Sequence, residues 1–253
     1  LKRKYPHLNI GVAENRVEGI PNLVGHALHT DCILLDDGFQ QQGIRIDLNI
    51  LLTPYHSPYT KDQFLPVGRL REGKSEAKRA DIIIVTKCPE NLLQKKSQVL
   101  QELNIQIENH QTAFLSSIYY ATPFLLNYEG IQLSLKEVDT VLLLTGIADS
   151  SPLVQYIESK GKKIIHIKFP DHYRYRAVDI EMIHQEWEKL SPTGKNILLT
   201  TEKDAARLVD YTNQINELQL EIYVQPILLK WDNEVELKER ILKVLPIQEF
   251  EAF

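Results

Sequence analysis

Strand-sized apolar runs alternate with helical patterns along this chain, and that alternation restricts its fold more than any other feature. Such an order marks β-α-β units and a mostly parallel sheet covered on both faces. The strand candidates are residues 8–12, 32–35, 48–52, 81–86, 140–145, 163–168, 196–200 and 221–226. The clearest unit begins with TVLLLTGIADSSPLVQYIESKGKKIIHI. There a strand ends at Thr145, one of Asp149, Ser150 or Ser151 caps a helix with Pro152 near its first turn, and Gly161 ends it before the next strand. In RYRAVDIEMIHQEWEKL, Val178, Met182, Trp187 and Leu190 recur at near-helical spacing, and Ser191-Pro192-Thr193-Gly194 breaks the pattern before NILLT. Between the halves, FLSSIYYATPFLLNY lacks a helical period and is rich in aromatic and β-branched residues, as a hairpin linker or ribbon would be. The domain boundary is placed within residues 111–128, giving domains 1–115 and 116–253. The Tyr119-Tyr120 pair reads as ordinary packing ahead of contact with acyl chains.

Composition removes several function classes. A formal charge of −5 argues against nucleic acid as the main partner, since phosphate backbones are bound by dense Lys/Arg faces. The basic clusters at Lys2-Arg3-Lys4, Lys78-Arg79 and residues 160–163 read as solvated surface ahead of contact with anionic lipid or a phosphorylated substrate. No apolar run approaches the roughly 20 residues that a bilayer crossing requires. Cys32 and Cys88 have neither metal-ligand spacing nor a secreted context, so reduced cytosolic thiols are expected. The chain opens on Leu1 in LKRKYPHLNI, neither a signal peptide nor a clean domain start, and reads as cut upstream.

Several segments could carry chemistry. In CILLDDGFQQQ an apolar run ends at Asp36-Asp37 and Gly38. Carboxylates at the end of a parallel strand face the crevice where such folds bind ligands, and can hold Mg²⁺ directly or through water. The plainer alternative is a polar strand terminus turning at Gly38. Residues 68–75, GRLREGKS, match the P-loop pattern G-x-x-x-x-G-K-S/T letter for letter. Their lead-in TKDQFLPV is polar and interrupted by Pro66, the inner positions carry Arg69, Leu70, Arg71 and Glu72, and the acidic strand precedes them, so a phosphate-wrapping loop is not expected. Thr86-Lys87-Cys88-Pro89 half-matches the guanine-reading N/T-K-x-D, with Pro89 where the base-binding Asp would stand. KFPDHYRY places Asp171 and His172 just after a strand, where a carboxylate can orient an imidazole for proton movement. TTEKDAARL ends a strand in Thr201, Glu202, Lys203 and Asp204, which taken alone could be a charged helix start capped by Asp204.

In order and spacing, LLDDGFQ, LPVGRLRE, KRADIIIVTKCP, TGIAD, FPDH and TEKDAARL resemble one family over nearly the whole chain, the lipid A 4'-kinases of Gram-negative bacteria. The KRADIIIVTKCP wording is closest to Bacteroidetes members. The resemblance implies two α/β/α sandwich domains of P-loop-kinase type joined by a short β linker. It implies transfer of the ATP γ-phosphoryl group to the 4'-hydroxyl of a tetraacylated glucosamine disaccharide 1-phosphate, giving lipid IVA, with ATP and Mg²⁺ as cofactors. It places the enzyme as a peripheral protein at the cytoplasmic face of the inner membrane. Carried over residue by residue, Asp36 and Asp37 are expected as metal-side acids and Gln40 as a nearby polar contact. Arg71 and Glu72 are expected in the cleft, His172 as partner of the family's catalytic carboxylate, and Arg16 in AENRVEGI as an arginine lining the same cleft. The family's Walker A loop and G-D-E-P block would precede the position matching Leu1, so negligible kinase activity is expected of this chain alone. Many members read H-R or H-K where this chain has Gln41-Gln42, and no basic role transfers there. From a different class, the alternative is an inactive nucleotide-binding relative serving as a regulatory or interaction module.

Overall fold

The computed structural model describes residues 5, 7–26, 30–41, 43–126 and 128–245. The Lys2-Arg3-Lys4 cluster and Gln42 lie outside them. The chain forms two compact units, residues 1–118 with 229–253, and residues 119–228.

In the first unit, helix α1 (Arg16–His26) precedes strands β1 (Ile50–Pro54) and β2 (Ile82–Thr86), helix α2 (Lys96–Glu102) and strand β3 (Thr112–Tyr120). β1 and β3 both run parallel to β2. The apolar run of β2 is buried throughout, as a central parallel strand requires. Its side chains alternate between two cores. Ile83 and Val85 pack with Val99 and Leu103 from the α2 side, while Ile82 and Ile84 pack with Phe114 and Leu237.

The second unit holds β4 (Phe124–Leu125), β5 (Tyr128–Gln132), β6 (Thr140–Thr145), α3 (Ser151–Ser159), β7 (Lys163–Lys168), α4 (Ala177–Glu188) and β8 (Asn196–Thr201). It continues through α5 (Glu202–Leu208), α6 (Thr212–Glu217) and β9 (Ile222–Gln225). Strand β10 (Ile227–Trp231) then leads to α7 (Glu234–Leu242), which completes the first unit by supplying Leu237. Asp232 fastens this return: its carboxylate accepts the Leu115 N–H at 3.0 Å and meets the Lys96 ammonium at 2.8 Å.

The sheets run in the orders β1-β2-β3-β10 and β5-β4-β9-β8-β6-β7. In the second, β6 is parallel to both β7 and β8, and β8 to β9. One face packs Val141, Leu143, Ile197 and Leu199 against Leu153 and Ile157 of α3. The other packs Leu142, Leu144 and Leu198 against Ile180, Ile183, Leu208 and Ile215 of α4, α5 and α6. The unit is therefore an α/β/α sandwich. The chain leaves β6 for one face and β8 for the other, so the order reverses between these neighbours; open α/β sheets place ligand crevices at such a point.

Several expectations need correction. Residues 8–12 and 32–35 are not strands: Leu34 is 91% exposed, and neither segment pairs with another among the described residues. Apolar composition makes a segment eligible for a ladder, but a strand exists only where a neighbour supplies the hydrogen bonds. Val178 faces solvent, and α4 buries Asp179, Ile180 and Ile183 instead. Asp179 is tolerated inside because it accepts from the Arg176 N–H at 2.8 Å, the Arg176 guanidinium and the Tyr173 hydroxyl. Burial raises the pKa of this carboxyl, yet the Arg176 bonds outweigh burial and hold it below the ordinary range. Of the tyrosine pair, Tyr120 packs on Tyr156 at 4.5 Å, whereas Tyr119 is exposed.

Both cysteines are free thiols. Burial, and then the Asp232 charge, push Cys88 up to about 11, so it is inert near neutral pH.

Candidate functional site

The expected site residues occupy loops of both units. In the first, Asp36 and Asp37 sit in an exposed turn, followed at once by a second turn in which the Gln41 N–H donates to the Gly38 carbonyl at 3.0 Å. Asp37 has φ 52°, a left-handed backbone that Asp tolerates better than most side chains. Its carboxylate lies 3.3 Å from the Arg71 guanidinium, so the structure joins the D-D-G-F-Q and L-R-E blocks directly. A second link runs beside the first. Glu72 pairs with Arg79 at 2.5 Å, and the Arg79 guanidinium lies 4.8 Å from the centroid of the Phe39 ring. Phe39 in turn packs on the first unit's core, anchoring the acidic turn. Sequence gives Phe39 no role and reads Arg79, with Lys78, as solvated surface; the structure instead pairs Arg79 with Glu72 and sets it against the Phe39 ring.

Other candidates are not joined to this pair. The Arg16 guanidinium donates to the Ala13 carbonyl at the start of its own helix. Gln40 is half-buried in the turn after Gly38, and no side-chain hydrogen bond ties it to Asp36, Asp37 or Arg71 among the described residues.

The segment that mimics a P-loop is built differently. Asp62 accepts from the Gln63 and Arg69 N–H groups at 2.8 and 3.2 Å and from the Arg69 guanidinium at 3.0 Å. The Gln63 bond, opposed by some desolvation and aided by Arg69, holds this carboxyl below its ordinary range. Gly68 is required by close approach, since a Cβ there would lie 2.2 Å from the Gln63 carbonyl oxygen. Lys74 opens a 3-10 turn, Lys74–Arg79, whose preceding residue Gly73 has φ −63°. A hydrogen-bonded surface loop therefore replaces the strand-loop-helix of a phosphate cradle.

In the second unit, His172 lies just beyond β7. Its backbone is also left-handed, φ 57°, and its side chain is 85% exposed. Asp171 accepts the His172 N–H at 2.9 Å and places its other oxygen 3.7 Å from Nε2. The flanks of this loop are tightly held. Phe169 and Tyr173 stack at 4.4 Å, Tyr175 packs edge-on against both, and the Tyr211 hydroxyl donates to the Tyr175 carbonyl at 2.5 Å. A pinned loop thus projects one imidazole into solvent.

The crevice position between β6 and β8 is filled from within. Asp204, fully buried, accepts the Gly146 N–H at 3.0 Å and the Thr201 hydroxyl at 2.8 Å, and meets Arg207 at 3.1 Å. Arg207 also donates to the Gly146 carbonyl at 2.8 Å. Gly146 is a position of close approach, with a Cβ falling 3.0 Å from Asp204 Oδ1 and 3.4 Å from the Tyr175 hydroxyl. Burial, followed by the Asp204 charge, raises the Tyr175 phenol's pKa. Three segments, T-G-I-A-D, K-F-P-D-H-Y-R-Y through its Tyr175, and T-E-K-D, therefore meet at one buried carboxylate. The cap of α5 is Thr201, which accepts the Asp204 N–H, and not Asp204 as the isolated segment suggested.

Among the described residues no group of three or more His, Cys, Asp or Glu could hold a metal ion unaided. Asp36 and Asp37 are both exposed, and one or two exposed carboxylates are the donor chemistry with which proteins share Mg²⁺ with substrate phosphates.

Two α/β units, the second with His172 in the loop beyond β7, define the chain as an α/β protein of ligand-binding architecture. Comparison narrows the class: the chain belongs to the tetraacyldisaccharide-1-P 4'-kinase family, which matches residues 1–246. A tetraacyldisaccharide 4'-kinase of Phocaeicola vulgatus is 35% identical over 232 residues, covering 90% of this chain and 63% of the relative. One from Parabacteroides distasonis is 37% identical over 251 residues, covering 96% and 68%. The chain thus spans a little under two thirds of the length of the first of these relatives. A crystal structure of LpxK from Aquifex aeolicus in complex with ATP shares the fold, with a TM-score of 0.54 and 23% identity over 83% of this chain and 56% of that one.

Proposed function

We propose that this chain serves in a lipid kinase that transfers the γ-phosphoryl group of ATP to the 4'-hydroxyl of tetraacyldisaccharide 1-phosphate, as a peripheral protein at the cytoplasmic face of the inner membrane. The observation that carries the reading is family membership over residues 1–246, with relatives named for this activity. No helix among the described residues is long and apolar enough to cross a membrane.

Transfer forms a bond from the sugar oxygen to the γ-phosphorus and breaks the one to the β,γ-bridging oxygen, releasing ADP and a hydroxyl proton. Catalysis of such transfers rests mainly on position and charge. Bound Mg²⁺ would neutralise charge on the phosphates, held at Asp36 and Asp37. Arg71, already beside Asp37, offers a planar guanidinium for a phosphate oxygen. Glu72 positions Arg79 under the same turn. His172 moves or holds a proton at its imidazole, with the Asp171 carboxylate 3.7 Å from Nε2 to orient the ring.

The test is an assay of the intact gene product with tetraacyldisaccharide 1-phosphate, ATP and Mg²⁺, reading ADP and phosphorylated lipid together. Formation of both, abolished when either lipid or Mg²⁺ is withheld, is expected. Nucleotide binding without transfer would overturn the reading in favour of a regulatory module. Within this scheme Asp37→Ala should weaken Mg²⁺-dependent nucleotide binding by about tenfold or more, the loss of one charge-assisted contact. A calorimetric titration in which the variant keeps its normal Mg²⁺ dependence would remove Asp37 from the metal set.

A further inference from the structure

We propose that the loop of residues 62–70 is a docking surface for an anionic phospholipid bilayer, with Phe64, Leu65 and Val67 entering the interface and Lys61 and Lys74 facing headgroup phosphates. This deepens the membrane-surface part of the function proposed above and rests on it. Three nearly consecutive large apolar side chains stand out here, Phe64 at 56% exposure, Leu65 at 59% and Val67 at 81%. Exposed apolar side chains grouped together and rimmed by polar residues mark interaction sites, whereas singly scattered ones do not.

Its shape is self-supported. Leu65 N–H donates to the Leu70 carbonyl at 3.0 Å, Leu70 N–H to Gln63 at 2.9 Å and Gly68 N–H to Phe64 at 2.9 Å, with Asp62 gripping both ends. This separates it from residues 32–35, which are apolar and exposed but have no regular structure. Among the described residues the 62–70 loop leaves its apolar tip exposed.

Charge decides between occupants. Residues 61–74 carry four cations, Lys61, Arg69, Arg71 and Lys74, against the acids Asp62 and Glu72, on a chain whose net charge is −5. Glu72 is already paired with Arg79. Lys61 and Lys74 have no carboxylate partner among the described residues; the Lys74 ammonium donates only to the Thr60 carbonyl, at 2.6 Å. Apolar side chains flanked by unneutralised lysines suit a negatively charged interface, where each basic residue adds attraction that salt screens. A second copy of the chain would bring the same positive rim against itself. A projecting tip cannot enclose acyl chains as a concave site does, so the bilayer is favoured over a lone lipid's tails.

The experiment is co-sedimentation of the chain with vesicles of phosphatidylethanolamine and phosphatidylglycerol, and separately of phosphatidylcholine. Binding to the anionic vesicles, weakened by salt and at least about tenfold weaker for Phe64→Ser/Val67→Ser, is expected. Both substitutions fall on exposed side chains, and far-UV circular dichroism checks that the fold persists. Phe64→Trp should in addition show blue-shifted emission on anionic vesicles. Equal binding by the serine variant, equal binding to phosphatidylcholine, or concentration-dependent dimerisation lost in the serine variant would each overturn the proposal. None of these touches ATP-dependent phosphorylation of the lipid, so failure here and failure of the kinase reading are distinguishable.

Discussion

Replacing His172 by alanine is expected to lower turnover of phosphoryl transfer by about 10²–10⁴-fold while ATP affinity stays nearly unchanged, the range for loss of a positioned proton-transfer group. The imidazole is almost fully exposed and buries no partner, so its removal leaves no cavity. What the backbone does at this residue sharpens the expectation. A φ of 57° is uncommon outside glycine, asparagine and aspartate, and alanine is less at ease there than glycine. The flanking Phe169, Tyr173 and Tyr175 rings hold the loop around it. If His172 served only the fold, His172→Gly would be the better tolerated variant and would retain activity. If the imidazole acts on protons, glycine and alanine should lose turnover alike while glycine matches or exceeds alanine in stability. The two variants, compared by kcat, by ATP affinity and by urea denaturation, separate these cases. Unchanged turnover in both would remove His172 from the reaction.

Much of the fold was legible because periodicity is local. The run IIIVT gives a buried strand from five adjacent residues, and Pro152 and Gly161 bracket α3 as their backbone preferences require, Gly161 with φ 70°. What stayed hidden depends on distant partners. The pairing of Asp37 with Arg71 spans 34 residues, and the acidic turn and the L-R-E block each looked self-contained. Residues 32–35 carried a strand's composition, yet no ladder forms, because pairing is decided by a neighbour and not by the segment. Val178 fitted the helical period, but Asp179 took the inner position once Arg176 and Tyr173 satisfied it. The left-handed backbones of Asp37 and His172 have no composition signal at all. Strain at such positions is an observation from which a functional role is argued, and sequence gives no access to it.

Asp204→Ala is expected to cost about 3 kcal/mol or more in unfolding free energy, read by urea denaturation with circular dichroism. Strand order reverses between β6 and β8, where an open α/β sheet leaves a gap beyond its strand ends. Here that gap holds a fully buried carboxylate joined to the Gly146 N–H, the Thr201 hydroxyl and Arg207. Removing it leaves the amide and hydroxyl without acceptors and the arginine, whose side chain is only 24% exposed, without its counter-charge. Asp204→Asn keeps the shape and one acceptor oxygen but not the charge, so it should fall between alanine and the parent. Arg207→Ala should cost less, because the carboxylate would keep two donors and the guanidinium already reaches solvent. The order alanine at 204, asparagine at 204, alanine at 207 therefore tests the buried acid as the hub, and a cost below about 0.5 kcal/mol for Asp204→Ala would place it among surface substitutions instead. Since Gly146 opens the T-G-I-A-D loop and Tyr175 closes the loop carrying His172, the same substitution should lower turnover through geometry, and rescue by asparagine in stability but not in turnover would show that the charge fixes the loops.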